Sequence, residues 1–229
     1  MFVPLHDSTP LKVIRFQAVT IAVIVLEVAV FLATGAFSTD SALAATATLW
    51  GVVPGEITGV LPPALGYDPV PEPFTLLSYQ FLHGGWWHLI SNMLFLWVFA
   101  DNIEDAYGHV AFAFLFLFCG VIAALVHVLV MPFSAAPLVG ASGAVSGVLG
   151  AYLVLFPKAR VWVLVAARIP LRIGALWVLG GWFGLQLFSW WMTRDSESGI
   201  AWGAHIGGFI AGAAITYAIR RRRWMRLNA

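Results

Sequence analysis

The chain has 229 residues, 61% hydrophobic and only 10% charged, with a net charge of +1. Soluble domains carry about 25% charged residues, so a water-covered surface is excluded and the composition reads as an all-α, polytopic membrane protein. The small net charge gives no sign of a nucleic-acid partner, and the single cysteine, Cys119, excludes an internal disulfide and a cysteine-based zinc site.

A spanning helix needs about 20 mostly apolar residues. Six segments qualify: 15–36, 86–101, 108–131, 142–157, 171–192 and 201–219, the second and fourth being short. Residues 1–14 precede them as an N-terminal segment, and 220–229 follow as a basic tail. The first segment has signal-like flanks, Lys12 and Arg15 before it and Ala42-Leu43-Ala44 after it. Its apolar core is longer than a signal peptide's, so it reads as a retained helix.

The connection 37–85 is long and contains Pro54, Pro62, Pro63, Pro71 and Pro73. Structureless connections of that length are uncommon unless functional. With Trp50, Phe74 and Phe81, and leading into Trp86-Trp87, it is expected to lie in the membrane interface; the competing reading is a loose connector. Trp86-Trp87 and Trp190-Trp191 fit an outer aromatic belt.

Lysine and arginine placement orients the helices. Lys12 and Arg15, then Lys158, Arg160, Arg168 and Arg172, then Arg220, Arg221, Arg222, Arg223 and Arg226 all fall on one side of a six-span arrangement. Only Arg194 falls on the other. Both termini are therefore expected in the cytoplasm, with the chain in a cell (inner or plasma) membrane.

In this topology the second, fourth and sixth helices run in the same direction. Counting up from Asp101, Lys158 and Arg220 at about 1.5 Å per residue puts His88 at about 20 Å, Ser142 at about 24 Å and His205 at about 22 Å. Asn92 lies one turn below His88 on the same face. A layer holding Ser142, His205, His88 and Asn92 has the parts for acyl transfer. Serine needs a base to take its proton, and histidine suits that role near neutral pH. The oxyanion needs donors; the Ser142 backbone N–H at a helix start and the His88 and Asn92 side chains qualify. No acidic residue lies in the outer halves of these helices, so a Ser–His dyad is expected rather than a triad. The competing reading is helix packing, since Gly143-x3-Gly147 and Gly208-x3-Gly212 are small-x3-small motifs, and a lone serine can bond back to its own helix.

These residues resemble the rhomboid intramembrane serine proteases. The resemblance spans residues 73–217 and rests on motifs in order: Phe81-Leu82-His83-Gly84-Gly85-Trp86-Trp87-His88, His88-x3-Asn92, Asp101-Asn102-Ile103-Glu104-Asp105, Gly140-Ala141-Ser142-Gly143 and Ala204-His205-Ile206-Gly207-Gly208. It implies a six-helix bundle over 15–219 with a water-filled cavity open to the extracytoplasmic side. It implies Ser142 as nucleophile, His205 as general base, and His88, Asn92 and the Ser142 N–H as oxyanion donors; Gly140, Gly143, Gly147, Gly207 and Gly208 are expected to support them by helix packing. It implies single-span membrane proteins as substrates, no metal or organic cofactor, and a substrate gate formed by the fifth helix and residues 193–200.

Two positions depart from the family pattern. Ser146 stands where many members carry an aromatic residue under the histidine, which leaves open how His205 is held and makes Ser146 a competing nucleophile. Phe74-Thr75 replaces a Trp-Arg pair in the first loop. Of the other polar residues, Glu27 lies inside the first helix and is expected to bond a neighbouring helix, to snorkel, or to relay protons, while His83 is expected either to border the site mouth or to be an interfacial histidine. His127 is structural and His109 cytoplasmic. The competing functions are a catalytically inactive rhomboid-like protein that binds membrane clients and a bis-histidine haem protein using His88, His127 and His205. A zinc protease is disfavoured because no H-E-x-x-H motif occurs.

Overall fold

A computed structural model describes residues 2–36, 38–63, 70–165, 168–193 and 200–227. The chain is mostly helical. In order come β1 (Phe2–Asp7), α1 (Ala18–Thr34), α2 (Asp40–Trp50), α3 (Pro54–Ile57), α4 (Glu72–Ser78), a 3-10 turn (Tyr79–Phe81), α5 (Trp86–Tyr107), α6 (His109–Val130), α7 (Ser142–Leu155), β2 (Arg160–Val165), β3 (Ile169–Gly174), α8 (Ala175–Thr193) and α9 (Trp202–Leu227).

The all-α expectation is corrected by the antiparallel sheet β1-β2-β3. Strand β2 alternates Val161 and Val163, both buried, with exposed Arg160 and Trp162, the period-two pattern of a half-buried strand. Pro4 is tolerated because β1 is an edge strand and bulges between Pro4 and His6. The fifth span expected at 171–192 is corrected too: 171–174 belong to β3, and α8 starts at Ala175.

By length and composition, α6 and the stretch Trp202–Arg220 are suited to cross a bilayer, while α1 and α7 are shorter apolar helices. Helix α5 runs past residue 101 to Tyr107 and stops at Gly108, whose φ of +79° an L side chain rarely adopts. Its last turns are acidic and tie down the start of the chain. Asp105 accepts from the backbone N–H groups of Lys12, Val13 and Ile14 at 2.7–2.9 Å. Glu104 accepts from the N–H groups of Val19 and Thr20 and the Thr20 hydroxyl, and pairs with His109. A carboxylate there satisfies donors that the first turn of α1 leaves orphaned. Asp7 of β1 accepts from Asn102 and from the Tyr152 hydroxyl. Burial opposes ionisation of both Glu104 and Asp105, but the hydrogen bonds prevail and hold each below the usual carboxylate range.

Helix α7 is the centre of the bundle, with every residue from Gly143 to Tyr152 buried. It meets α9 backbone to backbone. A Cβ on Gly208 would stand 2.0 Å from the carbonyl oxygen of Gly143, and one on Gly212 1.9 Å from that of Gly147. The described parts of the long first connection are held by backbone hydrogen bonds. Val52 exchanges backbone hydrogen bonds with Leu138, and the Tyr79 carbonyl accepts from the Gly140 N–H at 2.9 Å. The connection therefore grips the strap, residues 131–140, that leads into α7.

Candidate active site

The strap ends at Gly140, with φ of +117°, and Ser142 is the first residue of α7. No side chain caps this helix start. The Ser142 N–H thus keeps the free donor character of a helix N-terminus. The Ser142 hydroxyl lies 2.9 Å from Nε2 of His205 on α9. Nδ1 of His205 lies 2.8 Å from Oε1 of Gln186 on α8. Nε2 of the Gln186 amide donates to the Trp182 carbonyl, a pure acceptor, at 3.4 Å. That bond turns Oε1 toward the histidine. Nδ1 must then carry the hydrogen, which leaves Nε2 to accept from the Ser142 hydroxyl.

His88 and Asn92 of α5 line the same cavity, of about 770 Å³, as Ser142, His205, Gln186 and Ser146. The Gly84 N–H donates to Nδ1 of His88 at a long 3.4 Å, so the His88 proton sits on Nε2. A Cβ on Gly140 would meet the His88 ring at 2.5 Å, so the bare glycine lets that ring reach the strap. Asn92 is buried and its amide donates to Nε2 of His83 at 3.1 Å. His83 in turn stands 3.6 Å from Glu27 of α1, both side chains being fully buried. Among the described residues no carboxylate lines the cavity.

Ser146 is buried, and its hydroxyl donates to the Ser142 carbonyl at 2.6 Å, the back-bond of a helical serine. Gly143 and Gly147 lie against Gly208 and Gly212, while Gly207 faces Val126 of α6. His127 also lines the cavity. His109 pairs with Glu104 at the opposite end of the bundle. Of the expected gate, residues 194–199 lie outside the described residues.

Residues 71–222 match the family model for the Rhomboid domain. The chain belongs to the rhomboid family. It is 30% identical over 175 residues to Rhomboid protein 1, mitochondrial, of Saccharomyces cerevisiae, covering 71% of this chain and 47% of that protein. It is 32% identical over 144 residues to Rhomboid protease GluP of Bacillus subtilis, covering 63% of this chain and 26% of that protein. It is 27% identical over 165 residues to Rhomboid-related protein 2 of Mus musculus, covering 71% of this chain and 54% of that protein. The chain thus spans about half, or less, of the length of these relatives. Family membership makes this a membrane protein with several spanning helices.

In this rhomboid the aromatic support of His205 comes from outside α7. The Trp182 ring of α8 lies 6.1 Å from the imidazole, and Trp202 of α9 meets it edge-on at 6.0 Å. Sequence reasoning missed Gln186 and Trp182. The available signal was a lone amide in an otherwise apolar helix, which needs a buried partner to be tolerated.

Proposed function

We propose that this rhomboid is an intramembrane serine endopeptidase that cuts single-span membrane proteins in or near their spanning segments. The observation that carries the reading is the 2.9 Å approach of the Ser142 hydroxyl to Nε2 of His205. As Oγ attacks a substrate carbonyl, its proton passes to Nε2 and the carbonyl oxygen becomes an oxyanion. The Ser142 N–H, His88 Nε2–H and Asn92 amide are the donors for that charge. The imidazolium then protonates the leaving amine, and a water hydrolyses the acyl-enzyme with His205 again as base.

Depth supports an intramembrane site. Helix α7 has 14 residues, about 21 Å at 1.5 Å each, against a hydrocarbon core of about 30 Å. Basic groups gather at the far end from Ser142: Lys12 beside Asp105, Lys158 after α7, Arg160 and Arg172 in the sheet, and Arg220 on the Val154 carbonyl. By the positive-inside rule that end faces the cytoplasm of a cell membrane and the cavity opens to the other side. The name of the relative Rhomboid protease GluP agrees with the activity.

The test is cleavage of a model single-span substrate in liposomes. Ser142→Ala and His205→Ala are expected to abolish cleavage and fluorophosphonate labelling while the protein stays folded. A wild-type protein that resists the probe where an active relative is labelled would show an inactive client-binding protein instead.

A further inference from the structure

We infer that Gln186 is the positioning residue of the Ser142–His205 pair, and that the placement of α8 sets whether His205 can act as a base. The inference rests on the protease reading above. Three polar links run in one direction: Ser142 hydroxyl to His205 Nε2, His205 Nδ1–H to Gln186 Oε1, and Gln186 Nε2–H to the Trp182 carbonyl. Only the last is fixed by backbone, and it decides the polarity of the other two. Gln186 fills the orienting place that a carboxylate occupies in a triad, but it brings no charge.

The element that delivers it is weakly held. From Gly180 to Thr193, Gln186 is the single buried residue of α8. A Cβ on Gly180, Gly181 or Gly184 would meet nothing within 4 Å. The outer half of α8 is otherwise steadied by side-chain rings, chiefly the Phe183–Phe209 stack at 4.4 Å. Displacing this half of α8 draws Gln186 from His205 and frees the ring to turn or change tautomer. The same amide therefore fastens α8 and orients the base, so movement of this wall of the cavity is coupled to reactivity of the serine. Among the described residues, the other titratable groups facing the cavity are His88 from α5 and His127 from α6.

The experiment measures the rate of fluorophosphonate labelling of Ser142 against pH, normalised to folded protein by thermal unfolding. The proteins compared are the full-length wild type, Gln186→Leu, Gln186→Glu, Phe183→Ala and the double variant Phe183→Ala/Gln186→Leu. Gln186→Leu is expected to lower the rate about 10- to 100-fold, part of what a general base supplies. Gln186→Glu keeps an acceptor and is expected to return most of that loss. It should also move the acid limb to higher pH, because a carboxylate favours the imidazolium. Phe183 does not line the cavity. Its loss should slow the Gln186 protein but add nothing to Gln186→Leu, the signature of coupling. Labelling of Gln186→Leu at the wild-type rate overturns the inference and leaves the protease reading standing. So does a Gln186→Glu protein as slow as Gln186→Leu with an unmoved acid limb, since that is packing alone, and so does a Phe183→Ala loss that persists in full beside Gln186→Leu. An unlabelled wild type overturns the protease reading, and this inference with it.

Discussion

Replacing Gly208 with alanine tests whether the α7–α9 contact sets the reactive distance. The new Cβ would stand 2.0 Å from the carbonyl oxygen of Gly143. Carbon–oxygen contacts close at about 3.3 Å, and neither partner is a side chain that can swing aside. The two helices must part by about 1 Å, which carries the 2.9 Å Ser142–His205 hydrogen bond past the distance at which it holds. A misplacement of about 1 Å at a reacting pair costs about 100-fold, or about 2.7 kcal/mol in the barrier. Overpacking costs about 1–3 kcal/mol of stability, so most molecules stay folded. The assay is kcat/KM for a single-span substrate in liposomes, with circular dichroism and thermal unfolding beside it. Gly180→Ala on α8 is the control, because its Cβ meets nothing within 4 Å. A Gly208→Ala protein that cleaves at the wild-type rate would refute the claim that backbone contact fixes the pair.

Three further outcomes are expected. Gly140→Ala strains a positive φ and drives a Cβ into the His88 ring; displacing one proposed oxyanion donor is expected to lower kcat by about 10²- to 10³-fold, measured with the same substrate. Ser146→Ala removes only a back-bond within α7 and should keep most of the activity, whereas the probe should label Ser142 in it undiminished. Glu104 and Asp105 are held below the usual carboxylate range, so their stabilisation is complete above about pH 5 and is lost as pH falls through their lowered native values. Acid unfolding in detergent should accordingly flatten in Glu104→Gln, and Glu104→Ala should lose about 1–3 kcal/mol at neutral pH by stranding buried donors.

Much of this was legible in the sequence because apolar runs and charge placement carry it. The helical segments fall where the apolar stretches lie, and a count of rise per residue put Ser142, His205 and His88 at one level before any contact was known. The sheet was not legible, for physical reasons. The run Ile169–Gly174 is apolar enough to merge with the helix after it, and short apolar runs do not separate strand from helix by period. One partner of β2 is a strand with a proline, Phe2–Asp7, about 160 positions away, and local pattern does not report pairing over that distance. The acidic run at 101–105 was read only as part of a resemblance; its work as an anchor for the backbone at residues 12–20 needs the fold to be seen. The support of His205 was sought one turn below the serine, at Ser146, and lies instead on α8 and α9, because Trp182 and Trp202 approach the ring from neighbouring helices.

The strand Phe2–Asp7 also gives the molecule an order of assembly. Its partner, Arg160–Val165, is synthesised about 160 residues later, a wait of roughly 8–30 s at about 5–20 residues per second. Helix α1 has no carboxylate for its first N–H groups until Glu104 is made. All three strands are synthesised before α9, and α9 brings His205. A chain halted before α9 therefore carries Ser142 without His205, so the hydrolytic capacity proposed above waits for α9.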